Sequence, residues 1–472
     1  MKKTSIARIL PVLLTLGVVG CSHSGSNSDD TVKPTLVAFN AVSDMPDVTF
    51  LRVEEVWSSI TYGVGTSARP VDPDTYNLHF DALLPGDQTT SCQGDINKDG
   101  IKDLTECTRV ATKSVNLLNG HEYTAALIGQ FATPDVTIYD NTAHVFSTTS
   151  NSGTGDTDMQ VQFFNWSNKL GTFDVYLEAP GTNLSVTQVK ATLAPGQAFT
   201  GLVQQGTYVL TLTPVGQPDS PIYLSQNFDV TERTRVGFAI LDGTNESTSN
   251  VKVSRFRDQG GDLFDRRTQT LFRMSHVAPA TSNVDVYQQE NYTTPLFANV
   301  ALKQTTDYTL IDPANLSPLE LDITPAGNVG VLLEREQLTL SNGSLSTLFF
   351  VNGANNTLNG LLTVDTARRI APYAQVRLVN TLTQTLDFYV IPHDNNVYTS
   401  TVTAALSASS IGGAQEFAPG DYDVILMRSG TSTIVFGPLE VHMAGSGLYT
   451  VVGVPTADVT RADILLLGDF QN

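Results

Sequence analysis

Residues 95–106 carry carboxylate and amide side chains at the spacing of a calcium-binding loop. Ca²⁺ takes six to eight oxygen ligands at roughly 2.3 to 2.6 Å, and one short loop supplies them only if it turns sharply. Gly100 would permit that turn. The ligands would be the side chains of Asp95, Asn97, Asp99, Asp103 and Glu106 and the carbonyl of Ile101. We predict a structural Ca²⁺ site, with a metal-free Asp-rich hairpin tip as the alternative.

Two cysteines, Cys92 and Cys107, bracket this loop, and the third cysteine of the chain is Cys21. The first twenty residues predict export, and a pair of cysteines in an exported protein most simply forms a disulfide. Closing a loop of about 15 residues would stabilise the fold by roughly 3 kcal/mol in the chain-entropy description. The alternative is a reactive dithiol or a zinc pair, which lacks both a Cys-x-x-Cys spacing and a nearby histidine.

A second recurring group is an acid followed two residues later by a tyrosine. Residues two apart in a strand share a face, so each acid and tyrosine would point together, away from the apolar face. The pairs are Asp174 with Tyr176, Asp285 with Tyr287, and Asp387 with Tyr389. An exposed acid and aromatic ring could bind sugars or cations. The structural alternative, which we favour, is that each pair caps a turn or packs under a neighbouring loop.

Catalytic constellations are absent from the sequence. The seven histidines are scattered, without a His-Glu-x-x-His motif, and neither a Gly-x-Ser-x-Gly elbow nor a phosphate-binding loop occurs. His276 and Asp285 could form a dyad, but the residues equivalent to His276 in the other repeats are asparagines, which cannot act as bases. We therefore predict a protein that is not an enzyme, with an envelope hydrolase as the remote alternative.

The elements that position these residues recur four times. A short apolar strand ends in Asn40, Asn165, His276 and Asn380, at spacings of 125, 111 and 104 residues. Each copy is followed by a second strand, which reads Asp-Val-Thr at 47–49, Asp-Val-Tyr at 174–176 and 285–287, and Asp-Phe-Tyr at 387–389. A repeat of this length indicates an array of small modules.

Apolar and polar residues alternate over short runs bounded by Gly, Pro, Asn and Asp, which is typical of β-strands. We predict an all-β fold, a tandem array of antiparallel, immunoglobulin-like β-sandwich modules. The predicted modules span 35–147, which includes the calcium loop, 158–256, 268–366 and 372–472. Irregular linkers are expected at 148–158 and 258–267, and a short break at Ala371 and Pro372.

The order of these strands resembles the bacterial family filed as domain of unknown function 4397. The shared features are the strand ending in Asn or His, Asp-Val-Tyr, then Gly-x-Tyr-x-Val as at 420–424, and a closing Tyr-Thr-Val-Val as at 449–452. The third copy is nearest at its start, and Thr49 makes the first copy depart most. The resemblance implies extracytoplasmic sandwich modules and brings no established activity.

The first twenty residues predict a secretory signal. Lys2, Lys3 and Arg8 precede an apolar run that is too short to span a bilayer. The run ends in Val-Val-Gly-Cys at 18–21, which resembles the lipobox of bacterial lipoproteins and implies a lipid on Cys21. Ser22, in place of Asp, favours the outer membrane, and residues 21–34 read as a flexible tether. The alternative is an ordinary signal peptide with a coincidental cysteine.

The formal net charge is -20, so the surface would repel nucleic acid, and no small-molecule cofactor is expected. We predict a non-catalytic outer-membrane lipoprotein that acts as a cell-envelope spacer or binding scaffold. Its modules would face the cell surface or the periplasm, and its partners would be the membrane and a glycan or envelope protein. The alternative is a glycan-binding surface adhesin that uses the acid and tyrosine pairs.

Overall fold

The computed structural model describes residues 32–87, 92, 107–144, 146, 158–244, 250–288, 291–352 and 358–469. Over these residues the chain consists of β-strands joined by loops, with single-turn 3-10 helices at Leu184–Val186, Pro313–Asn315 and Val397–Thr399. The predicted all-β fold is confirmed. No helix in the described ranges is long and apolar enough to cross a membrane.

The strands fall into four groups, which we call modules 1 to 4. Module 1 contains β1 (Thr35–Asn40), β2 (Val48–Arg52), β3 (Glu55–Ile60), β4 (Arg69–Pro70), β5 (Thr75–Ala82), β6 (Thr108–Asn116), β7 (His121–Gln130) and β8 (Thr133–Thr142). Module 2 contains β9 (Asp158–Asn165), β10 (Phe173–Glu178), β11 (Ala191–Leu193), β12 (Ala198–Gln204), β13 (Gly206–Pro214), β14 (Tyr223–Leu224), β15 (Phe228–Val230), β16 (Arg235–Asp242), β17 (Val251–Arg257) and β18 (Gly261–Leu263).

Module 3 contains β19 (Thr270–His276), β20 (Val284–Gln288), β21 (Phe297–Val300), β22 (Thr309–Ile311), β23 (Leu319–Pro325), β24 (Glu334–Leu338), β25 (Leu345–Asn352) and β26 (Leu358–Asp365). Module 4 contains β27 (Ala374–Asn380), β28 (Leu386–Pro392), β29 (Ala404–Leu406), β30 (Ser410–Ile411), β31 (Gln415–Phe417), β32 (Gly420–Arg428), β33 (Ile434–Met443), β34 (Leu448–Pro455) and β35 (Ala462–Asp469).

Each module is a sandwich of two sheets. Sheet I has the central order β4-β1-β7-β8 in module 1, β12-β9-β16-β17-β18 in module 2, β22-β19-β25-β26 in module 3 and β30-β27-β34-β35 in module 4. Sheet II has the orders β3-β2-β5-β6, β11-β10-β13-β14, β21-β20-β23-β24 and β29-β28-β32-β33. The first strand of each module runs parallel to the strand predicted to close it, and the other pairs are antiparallel.

Two local features differ from the sequence-based expectation. The strand predicted to close each module is followed by one more antiparallel strand, namely β8, β17, β26 and β35. The expected irregular linker at 258–267 contains β18, which pairs with β17 in module 2. Its sequence, Gly-Asp-Leu, is too short to show an alternating pattern, so tertiary pairing decides its conformation.

Each sandwich has its own apolar core between its two sheets. In module 1 the core includes Phe50 and Phe80, and in module 2 it includes Phe163 and Phe238. Modules 3 and 4 have corresponding clusters, which include Phe272 in the former and Phe388 in the latter. Alternating side chains from both sheets fill these cores, as the period of two in the strands requires.

Sheet I of module 1 packs face to face against sheet I of module 2. The Phe39 ring lies 4.8 Å from Trp166 and 5.0 Å from Phe256, measured between ring centroids. Trp166 Nε1 donates a hydrogen bond to the hydroxyl of Tyr139 at 2.9 Å. The Tyr139 hydroxyl in turn donates to the Gly196 carbonyl at 3.0 Å. Aromatic side chains and their polar edges thus join modules 1 and 2 through a second, inter-module core.

Modules 3 and 4 pair through the same two sheets with smaller side chains. Val351 and Val452 belong to a buried cluster that both modules contribute to. At its edge, Arg377 Nη1 donates to Asp365 Oδ1 at 2.5 Å, and Lys303 forms an ion pair with Asp463. The four sandwiches are therefore arranged as two packed pairs.

Replacing Phe39 by Ala should loosen the pairing of modules 1 and 2, because this side chain lies in the inter-module core. We expect a loss of about 3 kcal/mol or more, as for other buried aromatic side chains. Hydrogen exchange should then rise on the facing strands β1, β7, β9 and β16. Phe50→Ala, in the core of module 1 itself, is the matched control and should raise exchange within module 1 only. Unchanged exchange in β9 and β16 of the Phe39 variant would contradict the assigned role.

Candidate functional site

The residues that end the first strands are buried turn caps. Each side chain accepts a hydrogen bond from the backbone N–H two residues ahead. The bonds are Val42 N to Asn40 Oδ1 at 3.1 Å, Ser167 N to Asn165 Oδ1 at 3.3 Å, Ala278 N to His276 Nδ1 at 3.4 Å, and Leu382 N to Asn380 Oδ1 at 3.0 Å. The four residues share one structural task, as the sequence indicated.

The opposite end of each side chain donates to a backbone carbonyl. Asn165 Nδ2 donates to the Gly171 carbonyl at 3.2 Å, and Asn380 Nδ2 donates to the Leu406 carbonyl at 2.9 Å. His276 Nε2 lies 3.1 Å from the Ser282 carbonyl. An imidazole with Nδ1 accepting and Nε2 donating is the neutral Nε2–H tautomer.

This geometry leaves His276 unsuited to a dyad with Asp285. Backbone groups occupy both nitrogens of the His276 ring. The carboxylate of Asp285 accepts from the backbone N–H groups of Asn299, at 2.7 Å, and Gly327, at 2.8 Å. Burial lowers the pKa of His276, with a smaller opposing effect from the Ser282 carbonyl. The histidine is therefore neutral near pH 7 and serves the fold.

Module 3 should lose stability on acidification because of His276. The pKa of this histidine is lower in the folded state, so the unfolded chain binds the proton first as the pH falls below about 6.5. Protonated Nδ1 could no longer accept from Ala278 N. We expect faster hydrogen exchange of module 3 at pH 5.5 than at pH 7.5, after correction for intrinsic exchange rates.

The matched variant is His276→Asn, which installs the cap of the other three modules. It should fold and should show a smaller stability difference between the two pH values. His276→Ala should be destabilised by about 1–3 kcal/mol at both pH values, because it leaves buried backbone groups unpaired. Equal pH responses of wild type and His276→Asn would contradict this assignment.

The acid and tyrosine pairs do not form an open binding face, which agrees with the structural alternative favoured from the sequence. Asp174, Tyr176, Asp285, Tyr287, Asp387 and Tyr389 are between 2% and 9% exposed. Their orientation away from the module core is as predicted, since the flanking Phe173 and Val175 lie in the core of module 2. The sequence pattern gave the direction of these side chains but not what covers them.

The carboxylates cap tight turns on the neighbouring strand. Asp174 Oδ2 accepts from Gly216 N at 2.8 Å, and Asp285 Oδ2 accepts from Gly327 N, also at 2.8 Å. Both glycines have positive φ, +71° and +72°, a conformation that glycine adopts without steric cost. The structural alternative, turn capping, is therefore confirmed for these two acids.

Two of the tyrosines, Tyr287 and Tyr389, contact residues of neighbouring loops. Tyr389 forms a small apolar cluster with Ile425, Met427 and Val397, the last of which lies in a 3-10 turn. In module 3 the rings of Tyr287 and Tyr292 are 5.3 Å apart. In both modules a loop residue, Tyr292 or Val397, thus helps to shield the ring of the strand tyrosine from solvent.

The calcium-loop residues Asp95, Asn97, Asp99, Ile101, Asp103 and Glu106 lie outside the described residues, as does Cys21. The predicted disulfide is present, since Cys92 and Cys107 are bonded across 15 residues. Next to it, Asp87 accepts from Leu84 N at 2.8 Å and from the hydroxyl of Thr108 at 2.9 Å. A covalent bond and a capped turn thus join the two ends of the insert.

The connection between modules 3 and 4 is bound to module 1. Arg368 donates to the carbonyl oxygens of Ser43, at 3.1 Å, and Met45, and its guanidinium lies 5.3 Å from the ring centroid of Tyr62. Burial lowers the pKa of Arg368. Ala371 N also donates to a module 1 carbonyl, at 2.8 Å. The sequence reading treated this connection as a break and missed these contacts.

A polar cleft of about 330 Å³ opens beside Arg368, where modules 1 and 2 meet the 3–4 connection. Its lining includes Asp44, Asn168, Lys169, Asp242 and Arg369. Both charge signs are present, and the acids are engaged: Asp44 Oδ1 accepts from a backbone N–H at 2.9 Å, and Asp242 accepts from Ser167. Both bonds lie within a single module, module 1 for Asp44 and module 2 for Asp242, so these acids serve their own modules.

Histidines and acids do not assemble into a metal centre within the described ranges, where no group of three or more potential ligands occurs. His121 pairs with Asp140 at 2.7 Å and His442 pairs with Asp421 at 2.6 Å. These are single pairs on different modules. The oxygen-rich loop at 95–106 remains the predicted metal site, with ligands that suit a hard cation.

Comparisons with known proteins extend this description. Residues 270–389 match the family model described as Domain of unknown function (DUF4397), so the predicted resemblance is confirmed for module 3 and the start of module 4. No curated protein matches the chain. Among solved structures, the Bacillus anthracis TIE protein matches with 9% identity over 93% of this chain and 76% of its own, at a TM-score of 0.15.

Proposed function

We propose that this protein is a non-catalytic scaffold of the bacterial envelope, held at the outer membrane by a lipid on Cys21. The observation that carries the proposal is the burial of sheet I of each module against sheet I of its partner. Apolar interfaces of this kind fix the relative orientation of domains, whereas small polar interfaces permit motion. The scaffold is thus built from two firm pairs.

The contacts of Arg368 with module 1 support this arrangement. They hold the 3–4 connection against the first pair through backbone acceptors and an aromatic ring. A chain that served only as a flexible spacer would gain nothing from such contacts. A scaffold that presents partners at set distances requires them.

The proposed anchor rests on the sequence. The signal features lie at 1–20, and Cys21 begins a polar segment predicted to be a tether, of which the 11 residues from 21 to 31 could extend about 36 to 40 Å. The predicted tether ends earlier than residue 34, because Val32 and Pro34 accept backbone hydrogen bonds from module 1. Such a tether would let the module pairs stand clear of lipid headgroups. Multiple acyl chains would give stable attachment, since a single chain binds membranes only marginally.

Cell fractionation tests the anchor. Wild-type protein should sediment with outer membranes, and Cys21→Ala should not, because it lacks the acceptor for the lipid. A Cys92→Ala and Cys107→Ala double variant, the matched control, should remain with the membrane. Protease treatment of intact and permeabilised cells then reports which side the modules face. Membrane retention of the Cys21 variant would contradict the lipid anchor.

A glycan-binding adhesin is not favoured by the acid and tyrosine pairs, because these side chains are buried. Three of their chemical groups are used within the fold: the carboxylates of Asp174 and Asp285 cap turns, and Tyr389 packs beneath a loop. A scaffold role requires no such open face.

We further propose that residues 95–106 bind one structural Ca²⁺. The oxygen-bearing residues of the loop and the disulfide that closes its ends support this assignment. Joining the ends of the loop reduces the entropy lost when its oxygens gather around the ion. The affinity expected of an extracellular calcium module is about 10⁻⁴ to 10⁻³ M.

Calcium at about 5 mM should therefore stabilise the full-length protein by about 1–2 kcal/mol, measured as a rise in Tm. Asp95→Ala should abolish the rise because it removes a ligand. Asp135→Ala removes an exposed acid from β8 of the same module and should leave the rise intact. A Tm that does not respond to calcium, or an equal response of the two variants, would refute the loop assignment.

A further inference from the structure

A cleft of about 200 Å³ between modules 1 and 2 leads to three charged side chains. Glu122 lies on β7 of module 1, and Arg235 and Arg257 lie on β16 and β17 of module 2. The side chains of Glu122 and Arg257 are 3% and 1% exposed. The lining also includes the small or apolar Val32, Thr35, Ala68 and Ala143, together with Lys33 and His121, which pair with Asp72 and Asp140 at 2.7 Å each.

The charged side chains in the cleft differ in how completely they are paired. Arg235 contacts Glu122 Oε1, whereas Arg257 Nη1 stands 3.8 Å from Glu122 Oε2, beyond hydrogen-bond distance. Arg257 Nη2 donates to Thr124 Oγ1 at 2.7 Å, but Nε has no acceptor among the described residues. Asp258, also in the lining, is exposed and accepts from Arg235 N at 2.8 Å. Arg257 and Glu122 are thus buried and incompletely paired, since Glu122 Oε2 also lacks a hydrogen-bond donor among the described residues, whereas the Arg235 side chain is 30% exposed.

The backbone at Arg257 is held in an unusual conformation that directs its side chain to this place. Residues alternate between faces along a strand, and Phe256 already faces module 1. Arg257 would therefore be expected to face away, yet it donates to Thr124 of module 1. Its φ of +77° lies in the left-handed region, which costs roughly 1–3 kcal/mol for a residue other than glycine. This backbone conformation accompanies the placement of a buried guanidinium at the cleft.

We infer that this cleft binds a small organic monocarboxylate, with the carboxylate on Arg257 and the short aliphatic part between the small wall residues. Guanidinium groups bind planar carboxylates through parallel N–H donors. Among the lining residues, Lys33, Arg235 and Arg257 outnumber Glu122 and Asp258 by one charge, which one carboxylate would balance. The limited volume and the methyl groups of Val32, Ala68 and Ala143 favour a compact acid.

Because the cleft is formed by both modules, a bound carboxylate also stabilises their pairing. A ligand that binds only the folded, paired state raises the melting temperature in proportion to its saturation. The inference does not depend on the lipid anchor or on calcium, since it rests on residues of modules 1 and 2 alone.

Titration calorimetry and thermal melts of the full-length protein test the inference. The probes are butyrate and N-acetyl-alanyl-alanine, each beside its amide, with chloride and phosphate as inorganic anions at constant ionic strength. Butyrate should bind with a Kd of about 1 mM or tighter and raise Tm, and butyramide should not. Tighter binding of the peptide acid would identify a chain terminus as the source of the carboxylate.

Variants assign any binding to the cleft. Arg257→Gln should weaken butyrate binding at least tenfold. Arg255→Gln is the matched control, because Arg255 lies on the same strand but stacks on Phe228 within module 2, and it should bind as wild type does. Ala143→Leu leaves both arginines in place and should block binding sterically, so the test stands even if Arg257→Gln unfolds. Absence of butyrate binding, equal binding of the amide or of chloride, or unaltered binding by Ala143→Leu would overturn the inference.

Discussion

The rest of the structure depends on the burial of sheet I on both of its faces. In each module the first strand runs parallel to a later one, and both are buried over most of their length. One face meets the core of its own sandwich. The other face carries apolar residues such as Phe39 and Val452, whose exposure to water would be unfavourable. A second module must cover this face, so the sandwiches occur in pairs.

The two pairs use different side chains for the same purpose. Aromatic rings fill the interface of modules 1 and 2, while valines dominate that of modules 3 and 4. Buried ionic groups accompany both interfaces, with Glu122 in the first and Asp365 beside Arg377 in the second. Buried ion pairs add little net stability, but a shifted interface would leave a buried charge without its partner. We therefore assign these groups a role in setting how the two modules of a pair align.

The repeated polar residues maintain the modules rather than a binding surface. Asn40 and His276 cap equivalent turns with different atoms, because each side chain offers one hydrogen-bond acceptor and one donor at a suitable separation. Features that distinguish one module from another are better candidates for function. The insert at 92–107, the Arg368 contacts and the cleft at Arg257 each occur once among the elements described.

Local sequence pattern determined the strands, the two cysteines that pair and the direction of Asp174 and Tyr176 relative to the core. These properties follow from a period of two and from chemistry between neighbours in sequence. The three residues of β18 were too few to show an alternating pattern. The residues around Tyr389 gave no indication that a loop would cover its ring. Both outcomes depend on contacts between neighbouring elements, β17 with β18 and the segment at Val397 with Tyr389, which the pattern within one element does not show.

What only the tertiary structure decided is how the modules meet. The apolar runs of β1 and β9 required partners on both faces, but many surfaces could have met that requirement. The left-handed backbone of Arg257 overrides the alternation of its strand, and Arg368 binds carbonyl groups more than 300 residues away. The sequence by itself determined the modules, their caps and the disulfide. Their pairing and the clefts between them arise from long-range packing, in which geometry rather than residue order selects the contacts.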